Sequence, residues 1–249
     1  MNAPPTLPSP ALTGPAAYAP GLLIRSIAPP LRLASFRLVA FDMDSTLISI
    51  ECVDEIADAV GRKAEVAAIT EAAMRGEITD YKESLRRRVA LLRGVPEAAL
   101  QRVYDERLQL NPGVERFVGA CREAGLHTLL VSGGFTFFSD RVRDRLTLDE
   151  TRSNVLEFAD GCLTGRLVDQ PWGDICDGDE KRRTVLQACA RRGIDPARAI
   201  AVGDGANDLP MMRAVGLSIA YHAKPAVRAQ ANISIVDGGM DRALEILRP

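Results

Sequence analysis

Apolar runs of four residues recur along the chain after residue 110, separated by longer segments with helical periodicity. The runs TLLV at 128–131, AIAV at 199–202 and ISIV at 233–236 are each bounded by polar residues or glycine. The segments 112–125 and 180–193 lie beside these runs and carry apolar residues at helical spacing. Continuous apolar strands are typical of a sheet covered on both faces, so the alternation predicts an α/β fold with a parallel sheet between helices.

Residues 51–110 carry helix signals and almost no strand pattern. The segments EVAAITEAAMRG and DYKESLRRRVALLRG both end on glycine, and the second begins with an aspartate that suits a helix N-cap. A strand is predicted before this region, over 36–43, and the sheet resumes only after it. We therefore expect a core domain formed by 35–50 and 111–249, with 51–110 inserted after the first strand as a small helical cap over the strand ends.

Two segments depart from the alternation of strand and helix. The run NVLEFADGCLTGRLV, at 154–168, has two strand-like halves around Asp160 and Gly161, a dipeptide suited to a tight turn, and predicts a β-hairpin flap. Residues 1–34 contain eight prolines and have neither the basic start nor the apolar centre of a signal peptide. We expect them to form a loose arm. No apolar run in the sequence reaches the roughly 20 residues that a membrane-spanning helix needs.

Composition narrows the class of partner. The 249 residues are 47% hydrophobic, and 31 basic residues against 33 acidic ones give a net charge of −2. This balance offers no electrostatic attraction to nucleic acid or to an anionic membrane, so a small-molecule partner is expected. The five cysteines are scattered without a CxxC pair, which argues against a disulfide framework and against a zinc site. Free thiols fit the reducing cytoplasm, where we expect a monomer or a homodimer.

Acidic residues follow two of the predicted strands. Asp42 and Asp44 come directly after VAF, and side chains two apart on a strand share a face, so both carboxylates are expected to point at one object. Asp204, Asn207 and Asp208 follow AIAV in a loop that contains two glycines. Ligands of open α/β sheets bind beyond the carboxyl ends of the strands, so the two loops are predicted to meet. Oxygen ligands without a nearby histidine or cysteine favour Mg²⁺ as the cation between them.

Two further features suit an anion. Ser132 follows TLLV, and Gly133 and Gly134 after it can expose backbone N–H groups to a ligand. Lys181 lies near the start of a predicted helix and offers a positive charge. Taken singly, Ser132 is better explained as a turn residue and Lys181 as a solvated cation on a helix surface. Only their order along the chain favours a shared site.

The strings DMDST at 42–46, VSGG at 131–134, the later Lys181 and GDGAND at 203–208 resemble the four motifs of phosphatases of the haloacid dehalogenase superfamily. The resemblance extends over about residues 37–240. It implies a Rossmann-like core and an aspartate nucleophile at the first position of DMDST, which forms an aspartyl-phosphate. The second aspartate of the same string, Asp44, would act as the general acid and base.

The same resemblance implies roles for the other candidate residues. The metal site is expected to comprise Asp42, Asp44, Asp204 and Asp208: Mg²⁺ binds Asp42, Asp204 and the backbone carbonyl of Asp44, and Asp208 orients Lys181 or a metal-bound water. The groups expected to hold phosphoryl oxygens are Lys181, Ser132 and the backbone amide of Gly133.

Substrate choice is expected to lie in the cap. On the helix DYKESLRRRVALLRG, 100° per residue places Arg88 on the inner edge of the apolar stripe and turns Arg86 and Arg87 away from it. A guanidinium facing an acidic cleft can bind a carboxylate through two hydrogen bonds, although pairing with Glu51 or another acidic residue of the cap explains Arg88 equally well. The strings AFDMDSTLISIECVDEIA, MRGEITDYKESLRRRVALL, LEFADGCLTG and AKPAVRAQA are similar to superfamily members that hydrolyse O-phospho-L-serine. That similarity implies Arg88 at the substrate carboxylate, Glu51 at the ammonium group, Met74 as an apolar wall and Asn207 at the phosphate or serine.

The motifs leave two other functions open. A related phosphatase or phosphotransferase would use the same residues on another small metabolite, for example by passing the phosphoryl group to homoserine rather than to water. A receiver-like module, in which Asp42 accepts a phosphoryl group as a signal, would share the carboxylate and Mg²⁺ chemistry. It would leave Asp44 and the 60-residue cap without a role. Phosphate release from a panel of phosphorylated compounds distinguishes these functions.

Overall fold

A mixed sheet runs through the centre of the protein. The computed structural model describes residues 14–74 and 77–248. The strands in these ranges are β1 Ala16–Ala19, β2 Leu22–Ile24, β3 Leu31–Arg32, β4 Leu38–Phe41, β5 His127–Phe135, β6 Glu150–Ala159, β7 Cys162–Val168, β8 Ala199–Gly203, β9 Leu217–Tyr221, β10 Ile233–Ile235 and β11 Leu247–Arg248. The main sheet has the order β1-β2-β10-β9-β8-β4-β5-β6-β7, and β3 pairs with β11. Neighbours from β10 to β6 are parallel, which confirms the predicted fold class.

Strand β4 lies near the middle of the sheet and is buried along its whole length. Its residues alternate between the two faces: Val39 and Phe41 belong to the apolar cluster on one side, and Leu38 and Ala40 to the cluster on the other. Both faces are therefore covered, which explains the uninterrupted apolar sequence of the strand.

Helices supply the apolar side chains that cover the sheet. They are α1 Cys52–Ala59, α2 Lys63–Met74, α3 Tyr81–Ala90, α4 Glu97–Glu106, α5 Val114–Glu123, α6 Thr136–Leu146, α7 Gly178–Arg191, α8 Leu209–Met212 and α9 Pro225–Arg228. Phe117 of α5 packs edge-on against Phe41 with ring centroids 6.1 Å apart. Val185 and Ala188 of α7 belong to the cluster on the opposite face. The two layers of helices hold the carboxyl ends of the parallel strands in fixed positions.

Helices α1 to α4 lie between β4 and β5 in the chain, within the region where the sequence predicts a cap. The N-cap of α3 is Asp80, whose side chain accepts a hydrogen bond from the N–H of Lys82 at 2.9 Å, as its position in the sequence predicts. The other end of α3 packs on the β7 strand: a Cβ at Gly165 would lie 3.1 Å from the carbonyl oxygen of Ala90. The glycine thus allows the close approach of cap and hairpin.

Strands β6 and β7 form the predicted hairpin, with Asp160 and Gly161 in the left-handed region at φ 50° and 74°. This confirms the turn inferred from that dipeptide. Strand β6 begins at Glu150, earlier than its apolar run, and its first residues pair in parallel with β5. The pattern misses this part because it carries charged side chains: Arg152, for example, forms an ion pair with Glu180 at 3.2 Å.

Residues 16–24, within the proline-rich segment 1–34, form an antiparallel hairpin of β1 and β2 at one edge of the main sheet. Strand β2 pairs antiparallel with β10, and Leu22 is fully buried. Over these residues the expected loose arm is instead hydrogen-bonded to the core. The cap consequently follows the fourth strand rather than the first. Residues 1–13 lie outside the described ranges.

Within the described ranges, no helix combines the length and the apolar character needed to cross a membrane. The five cysteines are unpaired, and all except the half-buried Cys162 are buried.

Candidate active site

Asp42 and Asp44 lie beyond the end of β4: Asp42 follows the strand directly, and Asp44 is the first residue of a turn. The N–H of Asp42 still donates to the carbonyl of Val202 at 2.9 Å, but the chain then turns, with Ser45 in the left-handed region at φ 57°. The two side chains therefore do not owe their proximity to a shared strand face, which corrects the geometric reason for pairing them. The turn buries Met43 in the core and directs both carboxylates into one cleft.

Lys181 lies between two buried carboxylates. Its ammonium nitrogen is 2.6 Å from Asp42 Oδ1 and 2.7 Å from Asp208 Oδ1. Burial alone would lower the pKa of Lys181, but the charges of Asp208 and Asp42 outweigh it and raise that pKa well above its usual value. Burial and the charge of Asp208 raise the pKa of Asp42, while Lys181 acts in the opposite direction. One cation shared by two carboxylates leaves this part of the cleft negative.

Hydrogen bonds hold the side chain of Asp208 in an orientation that contacts Lys181. Besides the bond to Lys181, its Oδ2 accepts hydrogen bonds from the backbone N–H groups of Asp204 at 3.1 Å and Gly205 at 2.9 Å. Gly203 permits this arrangement, because a Cβ there would lie 2.5 Å from Asp208 Oδ2. The geometry favours the predicted orientation of Lys181 by Asp208 over direct binding of a metal by Asp208.

Asp42, Asp204 and Asp208 form an acidic cluster in which one oxygen from each lies within 4.8 Å of the others. The hydroxyl of Thr46 donates to Asp204 Oδ1 at 3.3 Å. Burial and the charge of Asp208 raise the pKa of Asp204 to about 6. Lys181 pairs with two of these three carboxylates, Asp42 and Asp208, so hard oxygen donors with surplus negative charge are available, and this donor set fits Mg²⁺.

The carboxylate of Asp44 is held by the first residue of α1. The backbone N–H of Cys52 donates to Asp44 Oδ2 at 3.2 Å, and the thiol donates to Oδ1 at 3.2 Å. Burial and the charge of Glu51 raise the pKa of Asp44 to about 7. A carboxyl group with such a pKa can exchange a proton near neutral pH. Its side chain is not part of the acidic cluster formed by Asp42, Asp204 and Asp208.

Ser132, Gly133 and Gly134 form a bulge in β5. The strand pairs with β6 as far as Val131 and resumes at Phe135. Ser132 Oγ accepts a hydrogen bond from the N–H of Gly134 at 2.8 Å, so its own proton can be donated to a ligand. All three bulge residues line the cleft, but the N–H of Gly134 donates to Ser132 and is not left for a ligand, unlike the arrangement expected from the sequence.

Cap residues complete a cavity of ≈ 680 Å³ over these groups, lined among others by Glu51, Tyr81 and Arg88. Arg88 Nε is buried and has no hydrogen-bond partner among the described residues. Glu51 Oε1 instead accepts a hydrogen bond from Ser45 Oγ at 2.6 Å. The alternative explanation, in which Arg88 pairs with Glu51, would require a direct contact between them, and these hydrogen bonds do not include one. Arg87 is exposed and pairs with Glu83 at 2.7 Å, as its place on the helix predicts.

The remaining candidates are Asn207 and Met74. Asn207 lies in a single 3-10 turn after β8 and lines the cleft. Met74 is the last residue of α2, and its side chain lies outside the described part of the structure.

Several residues at or beside the cleft were missed by sequence reasoning. Tyr81 was assigned only to the apolar stripe of α3, yet its hydroxyl lies against Gly133. Lys224 lines the cleft mouth, and the lysine of AKPAVRAQA was the available signal. The hydrogen bonds made by Cys52 and by Asn154 of β6 have no pattern in the sequence that would have identified them.

Comparison with known proteins agrees with this geometry. The family model of haloacid dehalogenase-like hydrolases matches residues 39–213. A phosphoserine phosphatase of Albidiferax ferrireducens is 69% identical over 235 residues, which are 94% of this chain and 99% of the relative. A substrate-bound phosphoserine phosphatase complex and a phospho-aspartyl intermediate analogue of phosphoserine phosphatase are each 33% identical, with TM-scores of 0.78, over 86% of this chain and 99% of theirs. The chain belongs to the haloacid dehalogenase-like hydrolase family.

Proposed function

We propose that the chain is a phosphoric monoester hydrolase that converts O-phospho-L-serine to L-serine and phosphate, with Mg²⁺ as cofactor and an aspartyl-phosphate intermediate on Asp42. The observation that carries the proposal is the buried ammonium group of Lys181, 2.6 Å from Asp42 Oδ1, beside a cleft that both Asp42 and Arg88 line. The first arrangement suits a phosphoryl group beside a carboxylate nucleophile, and the second suits a substrate carboxylate. The activity named for the relatives described above supports the same substrate.

Asp42 would supply the nucleophile. One of its oxygens forms a bond to phosphorus while the bond between phosphorus and the serine oxygen breaks, which gives an acyl phosphate. Lys181, at 2.6 Å, favours the ionised form of Asp42 that this attack requires. The donors around the bulge and Lys181 would offset charge on the phosphoryl oxygens without having to reorganise during the reaction.

Asp44 would transfer the protons. In its protonated form it gives a proton to the serine oxygen as that oxygen leaves phosphorus. It then accepts a proton from the water molecule that attacks the aspartyl-phosphate, and the products are phosphate and the free carboxylate of Asp42. The pKa of Asp44, raised to about 7 by burial and by Glu51, supports both roles at neutral pH.

Asp42, Asp204 and the backbone carbonyl of Asp44 would hold Mg²⁺. The bound cation would reduce the repulsion between an anionic nucleophile and an anionic phosphate. Asp208 would orient Lys181 through the hydrogen bonds it makes in the folded protein.

The cap would recognise the amino-acid part of the substrate. Arg88 has a buried donor, Nε, that a substrate carboxylate would satisfy, and an unsatisfied buried donor is costly. Glu51 would accept the ammonium group, and Asn207 would contact phosphate or serine through its amide. We carry Met74 over as an apolar wall from the family resemblance alone.

A substrate panel tests the proposal. Phosphate release is measured for L-phosphoserine, D-phosphoserine, phosphothreonine and a sugar phosphate, with Mg²⁺ and with EDTA. We expect L-phosphoserine to have the highest kcat/KM and activity to disappear in EDTA and return with Mg²⁺. If a sugar phosphate is hydrolysed faster than L-phosphoserine, the proposed substrate class is wrong. If no compound releases phosphate catalytically, the protein is a receiver-like module. Added homoserine tests an alcohol as acceptor, because its phosphorylated product is separable from phosphate.

Asp42→Asn tests the nucleophile. We expect no turnover, with L-phosphoserine still bound, because the amide keeps the shape of the side chain but cannot attack phosphorus. Asp144→Asn is the control, since Asp144 is 70% exposed and pairs with Arg143 outside the cleft. Normal turnover in Asp42→Asn refutes the assigned nucleophile.

The unpaired cysteines support a reducing compartment, and the cytoplasm is the proposed location. A monomer or a homodimer is the proposed assembly.

A further inference from the structure

Asn154 of β6 joins two elements that line the phosphate end of the cleft. Its Nδ2 donates to the carbonyl oxygen of Gly133 at 2.8 Å, and its Oδ1 accepts a hydrogen bond from the N–H of Cys176 at 2.8 Å. The residue is 1% exposed, so both polar groups of the amide are used inside the protein. Gly133 belongs to the bulge of β5, and Cys176 directly precedes Asp177, the N-cap of the helix that carries Lys181.

The bulge explains why a side chain is needed here. Val131 pairs with Arg152 and the next pair is Phe135 with Asn154, so three residues of β5 lie opposite one residue of β6. The regular ladder between the two strands is therefore interrupted. Gly133 lies within this break in the register, and its carbonyl accepts a hydrogen bond from the side-chain amide of Asn154.

Holding this carbonyl fixes the direction of the whole peptide plane. The carbonyl of Gly133 and the N–H of Gly134 belong to one planar peptide and point in opposite directions. With the carbonyl bonded to Asn154, the N–H donates to Ser132 Oγ at 2.8 Å. Ser132 then acts as an acceptor toward the backbone, and its own proton is left for the cleft.

We propose that Asn154 is a positioning residue for the bound phosphoryl group. It sets the orientation of the bulge peptide and the distance between the bulge and the start of α7, so that Ser132 and Lys181 face the same anion. An amide suits the position because it is neutral and offers one donor and one acceptor group in opposite directions. The inference deepens the proposed function and rests on it for the location of the phosphoryl group.

Asn154→Asp tests the inference. The substitution keeps the shape and the acceptor for Cys176, but it replaces the donor to Gly133 by a carboxylate oxygen that repels the carbonyl. The probe is inorganic phosphate, titrated calorimetrically into the protein with Mg²⁺ present. We expect the Kd for phosphate to rise at least about tenfold, because the geometry of a charge-assisted hydrogen bond to the phosphoryl group is lost. KM for p-nitrophenyl phosphate should rise in parallel.

Asn232→Asp is the matched control. Asn232 also bridges two backbone segments of the same sheet, accepting from the N–H of Ser218 at 2.9 Å and donating to the carbonyl of Arg25 at 3.3 Å. Its substitution should lower Tm but leave the Kd for phosphate within about twofold. A folded Asn154→Asp protein with wild-type phosphate affinity, or equal losses of affinity in both variants, would overturn the inference.

Two further arms keep the test decisive. If Asn154→Asp does not fold, Asn154→Ser is measured instead. The serine side chain is too short to reach either partner and adds no charge, and the same rise in the Kd for phosphate is expected. Phosphate binding also separates this inference from the proposed function: a wild-type protein that binds phosphate but does not hydrolyse phosphoserine refutes the function and leaves the comparison of the two asparagines valid. Unchanged phosphate affinity in an active enzyme refutes only the role of Asn154.

Discussion

The ammonium nitrogen of Lys181 lies 2.6 Å from Asp42 Oδ1, and both side chains are buried. The same nitrogen lies 2.7 Å from Asp208 Oδ1. Removing one partner of a buried ion pair leaves an uncompensated charge, whereas removing one partner of an exposed pair changes stability little. The contact between Lys181 and Asp42 therefore has consequences for stability as well as for catalysis.

Lys181→Met keeps most of the side-chain volume and removes the charge. We expect the free energy of unfolding in EDTA to fall by about 3–5 kcal/mol, since Asp42 and Asp208 lose their shared partner. We also expect kcat for phosphoserine to fall by about 10²–10³, the usual effect of removing one charge-stabilising donor. Urea unfolding and steady-state phosphate release measure the two effects.

Lys82→Met is the control for this substitution. Lys82 pairs with Asp174 at 2.6 Å, but its side chain is 30% exposed. Its loss should cost about 1 kcal/mol or less and leave kcat within about twofold. Equal destabilisation by the two lysine substitutions would contradict the difference between the buried and the exposed pair.

Arg88→Ala should raise KM for phosphoserine by about 10-fold to 100-fold, because a charge-assisted hydrogen bond is worth about 1.5–3 kcal/mol. For p-nitrophenyl phosphate, which has no carboxylate, the rise should be less than about threefold. Arg87→Ala controls for the loss of a cation on the same helix, since Arg87 is exposed and pairs with Glu83. Equal effects of Arg88→Ala on both substrates would remove Arg88 from carboxylate recognition.

The order of strands and loops along the chain predicted the position of the site better than local geometry did. Asp42 and Asp204 each follow a fully apolar strand, and parallel neighbours must present such ends at one edge of a sheet. The sequence therefore predicted their meeting. The reason offered for Asp44 was wrong, because a turn beginning at that residue replaced the continuous strand. Patterns of apolar residues locate a strand well and its last residue poorly.

Other features depend on contacts that no local pattern records. The hairpin at 16–24 consists of strands of four and three residues beside prolines, too short to show alternation, and its pairing with β10 joins distant parts of the chain. Asn154 and Cys52 each act through two hydrogen bonds, to Gly133 and Cys176 and to the two oxygens of Asp44, which exist only once the sheet and the cap have assembled. Such bonds are invisible to propensity and periodicity.

Gly133→Ala should impair closure of the cap, because a Cβ at Gly133 would collide with the hydroxyl of Tyr81 on α3. We expect KM for phosphoserine to rise about tenfold or more, since the clash must displace either the cap or the bulge. Tyr81→Phe removes the colliding oxygen, and the nearest remaining ring atom would lie 3.3 Å from the new Cβ. The double variant should therefore recover most of the lost affinity.

A double-mutant cycle on KM measures this coupling. The cycle also requires KM for the single variant Tyr81→Phe. If the effects of Gly133→Ala and Tyr81→Phe are additive, the collision does not explain the need for glycine, and the amide geometry of the bulge must be responsible instead.

Burial gives the metal-free protein an unusual dependence on pH. The pKa values of Asp44 and Asp204 are raised to about 7 and about 6, from about 3.9 in an unfolded chain. Between these values the folded protein binds more protons than the unfolded chain, so these groups make stability fall as pH rises from about 4 to about 7. His127 acts in the opposite direction, because burial lowers its pKa and the unfolded chain then binds the extra proton.

We expect Asp204→Asn to flatten the decline in unfolding free energy that the metal-free protein shows between about pH 4 and about pH 6, by up to about 1.4 kcal/mol per pH unit. The comparison with wild type cancels the contribution of His127. Mg²⁺ should also flatten the decline in wild type, because the cation binds the deprotonated carboxylates of the folded state. Urea unfolding in EDTA and in Mg²⁺ at several pH values measures both effects.

Asp174→Asn should keep the wild-type slope, since the pKa of Asp174 is lowered by its hydrogen bond with Lys82 and lies below this range. A full slope in Asp204→Asn would mean that Asp204 is already ionised in the metal-free fold.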